Sequence, residues 1–134
     1  MPIQIGQFLD IEKRKNAAEI ILNSIPSFES NKVLFVISSD FCHYGTRFNY
    51  KPSFKESDLS LNQNISNMDN NGFNHLNDPN PINTFTEYLN STGNTICGRE
   101  PILMFLQILQ ESKLNGKWSL VVYDQSHSLK SSVD

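Results

Sequence analysis

Asp40 and His43 are the first two residues in this sequence whose types and spacing suggest chemistry. They lie three residues apart in the segment SSDFCHYG, residues 38–45, directly after the apolar run at residues 33–37. An acid and an imidazole at this spacing can orient one another, or can face one cavity as a base, a hydrogen-bond donor or a metal ligand. The alternative is an ordinary turn, because Asp, Ser and Gly at the end of a strand form turns by default.

Cys97 is the second candidate, because it stands before Gly98 at the predicted start of a helix, where partial positive charge favours a thiolate. A thiolate there can act as a metal ligand or a redox centre. The alternative is that Cys97 is a small buried apolar residue, the usual state of an unpaired cysteine. A thiol-hydrolase arrangement with His43, or with His127, fits the residue types, but the sequence shows no oxyanion device beyond a helix terminus.

Strands and helices must position these residues, and the apolar pattern predicts both. Two runs, residues 33–37 and 118–123, are apolar at almost every position, which is typical of strands covered on both faces. A short alternating start at residues 3–5 indicates a further strand end, and helix followed by buried strand is half of a βαβ unit. Helical periodicity predicts helices over residues 10–25, 54–68, 82–89 and 101–113.

The length and composition favour one domain over residues 1–134, since 134 residues with 38% hydrophobic content can furnish a core. A formal net charge of −3 and the lack of a long Lys/Arg block argue against nucleic-acid binding, which depends on neutralising several phosphates. No apolar run approaches the length of a membrane span, and the N-terminus lacks a secretory leader. We therefore expect a cytoplasmic protein without a membrane span.

Two motifs taken together resemble the Memo family, whose name stands for mediator of receptor-driven cell motility. The first is SSDFCHYG with Arg47 and Phe48, and the second is NTICGR followed by Pro101 and Ile102. Both motifs occur in the same order as in the family and are separated by a similar number of residues. The resemblance implies an α/β fold, a partial three-layer sheet-and-helix arrangement similar to class III extradiol dioxygenases, which are non-haem iron enzymes. It also implies that this chain is the C-terminal portion of a Memo-like domain, with the N-terminal half missing.

The resemblance further implies a metal-centred pocket lined by His43 and Cys97, with Asp40 as a neighbouring acid. The likeness to dioxygenases assigns His43 as a general base near the metal and Cys97 as a ligand where those enzymes use a carboxylate. A thiolate ligand favours iron or copper. Two further pocket histidines of the family belong to the missing half, so we expect weak or no metal binding, and no enzymatic activity, from this chain alone.

The resemblance implies three competing functions. Memo proteins are implicated in linking receptor tyrosine kinases to cell motility through a pocket that accepts phosphotyrosine peptide, and Arg47 and Arg99 are the predicted phosphate contacts. The alternative is an iron- or copper-dependent redox protein or oxidoreductase. A structural piece with a vestigial pocket is the third. A sheet that lacks its other half exposes strand edges, which predicts self-association.

Overall fold

A computed structural model describes residues 2–7, 10–25, 33–114 and 116–126 of the chain; His127 lies outside these residues. Within them the α-helices are α1 (Ile11–Asn23), α2 (Leu61–Asn74), α3 (Pro81–Thr92) and α4 (Arg99–Ser112). Short 3-10 helices span Thr46–Phe48 and His75–Asn77. Among these described elements, no helix combines the length and the apolar character that crossing a bilayer requires.

The predicted α/β fold, with its three-layer sheet and likeness to class III extradiol dioxygenases, is wrong for the residues that the structure describes. This part of the chain is mostly helical and contains no β-strand. Its β pairing is limited to one isolated antiparallel bridge between Gly45 and Tyr50. A strand needs a neighbour that supplies its backbone hydrogen bonds, and residues 33–37 and 118–123 have none in the described ranges. An apolar run therefore does not by itself make a strand.

The two apolar runs are also more exposed than their composition predicts. The side chains of Leu34 and Val36 are 86% and 83% exposed, and Val121 is 94% exposed. In the first run the intervening Phe35 is half-buried, so one side of the run packs and the other faces outward. Exposed apolar side chains of this kind are a hazard for association. Self-association of the chain stays a prediction.

The described residues form two compact units. Unit 1 comprises Met1–Ser39 with Cys97–Gly116, and unit 2 comprises Asp40–Ile96 with Lys117–Asp134. Each unit contains stretches that are distant in the sequence, and the single domain over residues 1–134 stays a prediction.

The core of unit 1 lies between α1 and α4. Ala18 of α1 is fully buried and clusters with Met104 and Ile108 of α4. The rings of Phe35 and Phe105 lie 5.1 Å apart at 42°, which is a favourable tilted arrangement of aromatic rings. Partly buried apolar residues that surround this cluster are Ile5, Ala17, Ile21, Leu22 and Phe35.

Helix α2 of unit 2 begins seven residues later than the pattern predicts and contains six asparagine residues. Ser60 and Gln63 form a capping box, in which the Ser60 backbone N–H donates to the Gln63 side chain at 2.9 Å. This motif satisfies the free N–H groups of a first helical turn and so fixes where the helix starts. Within the helix, Asn70 donates from its side-chain amide to the carbonyl of Ser66, four residues earlier, at 2.8 Å, so this amide has a partner inside the helix.

Helix α3 packs beside α2 through aromatic side chains. Phe85 is fully buried, and its ring is stacked with that of Tyr88 at 6.0 Å. Gly72 of α2 permits the close approach of the Tyr88 ring to α2, because a Cβ atom at Gly72 would lie 2.6 Å from that ring. Helix α3 ends at Gly93, whose positive φ of 63° suits glycine at this position.

Candidate functional site

Asp40 and His43 lie at the start of unit 2 with their side chains facing one another. His43 Nε2 and the Asp40 carboxylate are 3.8 Å apart, and the Asp40 side chain is 87% exposed whereas that of His43 is 25% exposed. This separation is too long for a hydrogen bond but close enough for attraction when the imidazole is protonated. The spacing predicted that the two residues can orient one another; their catalytic and metal-binding roles stay predictions.

Thr95 holds His43 at both its backbone and its ring. The His43 backbone N–H donates to Thr95 Oγ1 at 2.8 Å, and Thr95 Oγ1 donates in turn to the His43 carbonyl at 3.0 Å. His43 Nδ1 lies 2.9 Å from the Thr95 carbonyl oxygen. A carbonyl oxygen can only accept, so Nδ1 carries the hydrogen and the lone pair of the neutral ring is on Nε2.

A buried carboxylate, that of Asp69, accepts a hydrogen bond from the residue that precedes His43. Asp69 of α2 is 4% exposed and accepts from the Cys42 backbone N–H at 3.2 Å. Asn94 Nδ2 donates to the same carboxylate at 2.9 Å, and the Tyr123 hydroxyl donates at 3.0 Å. Burial raises the pKa of Asp69, although the hydrogen bonds from these three groups partly oppose the rise.

The thiol of Cys42 is partly buried and is disfavoured as a nucleophile. Burial, followed by the negative charge of Asp69, raises the pKa of Cys42 to about 12, although a hydrogen bond with Thr95 acts in the opposite direction. A thiol with so high a pKa stays protonated at neutral pH and is a poor metal ligand.

Arg47 and Phe48 belong to the 3-10 helix Thr46–Phe48, and Phe48 lies beside His43. The Phe48 ring lies 4.9 Å from the imidazole of His43, and the Arg47 guanidinium lies 5.6 Å from the centre of the Phe48 ring. Gly45, the residue before this 3-10 helix, has φ of 120°, a backbone conformation that favours glycine. Arg47 is exposed, and its guanidinium is within range of a cation–π interaction.

Cys97 and Arg99 belong to unit 1, at the start of α4. Cys97 is exposed and precedes Gly98, the residue before the first turn of the helix. The Gly98 N–H donates to Ser39 Oγ at 3.1 Å. Arg99 Nε lies 3.9 Å from the Glu100 carboxylate, so its charge is partly met by its neighbour. The convergence of Cys97 and His43 on one hollow stays a prediction.

The sequence alone assigned no role to three residues that hold His43 and its neighbour Cys42, namely Asp69, Asn94 and Thr95, although the last two belong to the motif NTICGR. A signal for Asp69 was present, because it occupies the same face of α2 as buried Ile65, four residues earlier. An acid among apolar positions at helical spacing indicates a buried carboxylate with partners. Thr95 gives no such local signal, since its bonds to His43 cross 52 positions of sequence.

A surface cleft of about 470 Å³ in unit 2 is lined by residues 53–57. None of the predicted site residues belongs to this set. The cleft is formed by one short stretch of chain without a convergent set of polar groups from several elements. We therefore place the candidate site at His43 and not in this cleft.

Comparison with known proteins gives a consistent result. The family model described as Memo-like protein matches residues 1–134. The chain is 35% identical over 139 residues to "Protein memo-1 homolog" of Caenorhabditis elegans, covering 91% of this chain and 39% of that protein. It is 40% identical to "Protein MEMO1" of Rattus norvegicus over 101 residues, and 40% identical to that of Homo sapiens over 96 residues. These matches cover 73% and 69% of this chain, but only 33% and 32% of the two relatives.

Proposed function

Because this chain belongs to the Memo family, we propose that it contributes His43 and Cys97 as ligands to a metal-binding pocket, with Asp40 as the neighbouring acid. The observation that carries the proposal is the 2.9 Å contact between His43 Nδ1 and the Thr95 carbonyl, which leaves the Nε2 lone pair available. The chain spans about a third of the length of its relatives, so any activity of a whole protein is part of the proposal.

The chemistry of the donors fits iron or copper. Histidine ligands commonly donate their second ring nitrogen to a carbonyl or a carboxylate, as His43 does to Thr95. A thiolate at Cys97 would add a soft ligand, which favours copper or ferrous iron over magnesium or calcium. An iron or copper ion bound there would supply one-electron redox chemistry. Without a metal ion, His43 Nε2 would act as a general base, and the Asp40 carboxylate 3.8 Å away would stabilise the positive charge of the ring after it accepts a proton.

Contacts within each unit support bringing the two motifs together. In unit 1 the Gly98 N–H donates to Ser39, and in unit 2 Thr95 bonds to His43 at three places. Each of these contacts joins the segment around residues 39–43 to the segment 95–98. Cys97 lies between Thr95 and Gly98 in sequence, and the titration below tests whether it shares a metal ion with His43.

Anaerobic titration with cuprous or ferrous ions tests the metal pocket. We expect this chain alone to bind either ion weakly, with a Kd above about 1 µM, because few ligands hold the ion. Binding should be lost in both the His43→Ala and the Cys97→Ser variants. His75→Ala is the matched control, since His75 is also half-buried but lies beside Tyr88, and it should leave binding unchanged.

One outcome of this titration would contradict the proposed ligands, and another would contradict only the expected weak affinity. Binding that persists in both His43→Ala and Cys97→Ser would place the metal elsewhere on the chain. Submicromolar binding that is lost on changing Cys97 to serine would keep the ligands but overturn the expectation of weak binding. Oxygen consumption that follows the amount of bound metal would favour the oxidoreductase function.

A signalling function in cell motility, through phosphotyrosine peptide, is the second candidate. The observation that favours it is the exposed Arg47 guanidinium, which lies against Phe48 beside His43. A guanidinium matches the geometry of a phosphate group, and an aromatic neighbour limits its freedom before binding. Arg99 is less available because Glu100 lies 3.9 Å from it.

Binding of a phosphotyrosine peptide and its unphosphorylated form tests this function. We expect Arg47→Ala to weaken binding of the phosphorylated peptide about tenfold, since a charge-assisted hydrogen bond contributes about 1.5 kcal/mol or more. Arg99→Ala is the comparison and should have the smaller effect. Binding that is indifferent both to phosphorylation and to the two arginines would eliminate this candidate.

A further inference from the structure

The buried carboxylate of Asp69 joins the two motifs that carry the candidate site. One of its hydrogen bonds comes from the Cys42 backbone N–H, at 3.2 Å to one oxygen and 3.4 Å to the other. Another comes from the Asn94 amide at 2.9 Å. Cys42 directly precedes His43, and Asn94 directly precedes Thr95. A single side chain therefore fixes the residues immediately before both partners of the imidazole hydrogen bond.

From this arrangement we infer that Asp69 is a positioning residue for His43, which sets the imidazole tautomer by holding the Thr95 carbonyl opposite Nδ1. The inference rests on the proposed metal pocket, because its consequence is a lone pair on Nε2. It assigns a role to a residue outside both sequence motifs.

The surroundings of Asp69 leave little room for another arrangement. Asn94 is 1% exposed, and its amide nitrogen donates both to Asp69 and to the Tyr88 hydroxyl at 2.7 Å. The Tyr88 hydroxyl donates to the carbonyl of Met68, the residue before Asp69, at 2.9 Å. Among the described residues the buried Asn94 Oδ1 atom has no hydrogen-bond partner, whereas the amide nitrogen donates two hydrogen bonds, so the amide serves here as a donor.

In its ionised form a carboxylate suits this position because it only accepts. Each of its two oxygens can receive more than one hydrogen bond, whereas the isosteric amide would present an NH2 group to one of the donors. The Asp69→Asn variant therefore keeps the shape of the side chain and breaks the pattern of acceptors. We expect Cys42 and Asn94 to lose their fixed positions relative to one another. The His43 ring should then lose its fixed hydrogen bond with Thr95.

Nitrogen NMR of the His43 imidazole in the metal-free protein tests the inference, because the nitrogen shifts distinguish the two neutral tautomers. The wild-type ring should be in the Nδ1–H form. In Asp69→Asn the Nε2–H form should rise to a comparable population, and cuprous ion affinity should fall about tenfold, as is usual when support behind a ligand is lost. Tyr123→Phe is the matched control: it removes a 3.0 Å hydrogen bond to the same carboxylate but neither contact to the motifs, and the tautomer should not change.

Asn94→Ala provides a second variant in case Asp69→Asn does not fold. This variant retains the Asp69 carboxylate but removes its hydrogen bond with the side chain at position 94, directly before Thr95. It should therefore also populate the Nε2–H tautomer. A folded Asp69→Asn or Asn94→Ala protein whose His43 stays in the Nδ1–H form would overturn the inference. The tautomer is measured without metal, so failure of the metal titration alone would reject the pocket and leave the positioning role intact.

Discussion

Replacing Gly98 with alanine is expected to lower the free energy of unfolding of unit 1 by about 2–3 kcal/mol, the upper part of the usual range for overpacking. A Cβ atom at this position would clash with the Ser39 side chain and would lie 2.7 Å from the backbone oxygen of Ser38. Real Cβ atoms do not approach other heavy atoms so closely, and a backbone oxygen cannot rotate away as a flexible side chain can. The substitution should also strain the 3.1 Å hydrogen bond between the Gly98 N–H and Ser39.

Urea unfolding followed by circular dichroism measures this effect, with Gly6→Ala as the matched control. Gly6 also belongs to unit 1, but no described residue other than its chain neighbours lies within 4 Å of a Cβ atom built there. A double variant, Gly98→Ala with Ser39→Gly, should recover part of the loss, because it removes one of the two clashes. Equal unfolding free energies for Gly98→Ala and Gly6→Ala, within about 0.5 kcal/mol, would contradict the close approach of the two segments.

The helices were predictable because their signals are local. The 3.6-residue apolar pattern indicates α1, α3 and α4, and their observed bounds differ from the predicted ones by a few residues. The start of α2 was wrong because the capping box at Ser60 and Gln63 decides where the helix begins, and the weak apolar stripe before it does not. Asparagine is a poor helix former, but tertiary packing of Ile65 and Gly72 against their neighbours outweighs that preference.

The strands could not be predicted on the same basis, because pairing is not a local property. Residues 33–37 have the composition of a buried strand, yet no segment of the described chain lies beside them to form a ladder. The packing of Phe35 against Phe105 accounts for the side of this run that is partly buried. Apolar composition therefore indicates which side chains can be buried, but the partner decides whether a strand forms.

The candidate site was predictable in its chemical groups but not in its support. Asp40 and His43 are three residues apart, and the local motif was enough to single them out. The hydrogen bonds that hold His43 and the residue before it span 27 positions from Cys42 to Asp69 and 52 positions from His43 to Thr95, so no local pattern in the sequence contains them. Such distant contacts depend on how α2 and the segment before α4 are placed, which is settled only by folding.

Replacing Asp69 with alanine should have the other large effect, a loss of about 3 kcal/mol or more in unfolding free energy at acidic pH. The change leaves the Cys42 N–H, the Asn94 amide and the Tyr123 hydroxyl without their acceptor in a buried place. Because burial raises the pKa of Asp69 in the folded protein, folding favours its protonated form. Its contribution to stability is therefore complete below the unfolded pKa and declines as the pH rises through the folded pKa.

The difference in unfolding free energy between the wild-type protein and Asp69→Ala should accordingly be largest at low pH and should shrink as the pH increases. Urea titrations over a series of pH values measure this difference, in which the contributions of the other carboxylates cancel. Asp69→Asn is the control, because its side chain is neutral at every pH, and its difference from Asp69→Ala should stay flat. A difference between wild type and Asp69→Ala that grows with pH would mean that the three donors stabilise the ionised carboxylate more than burial destabilises it. That result would reverse the assigned direction of the Asp69 pKa while leaving its hydrogen bonds as observed.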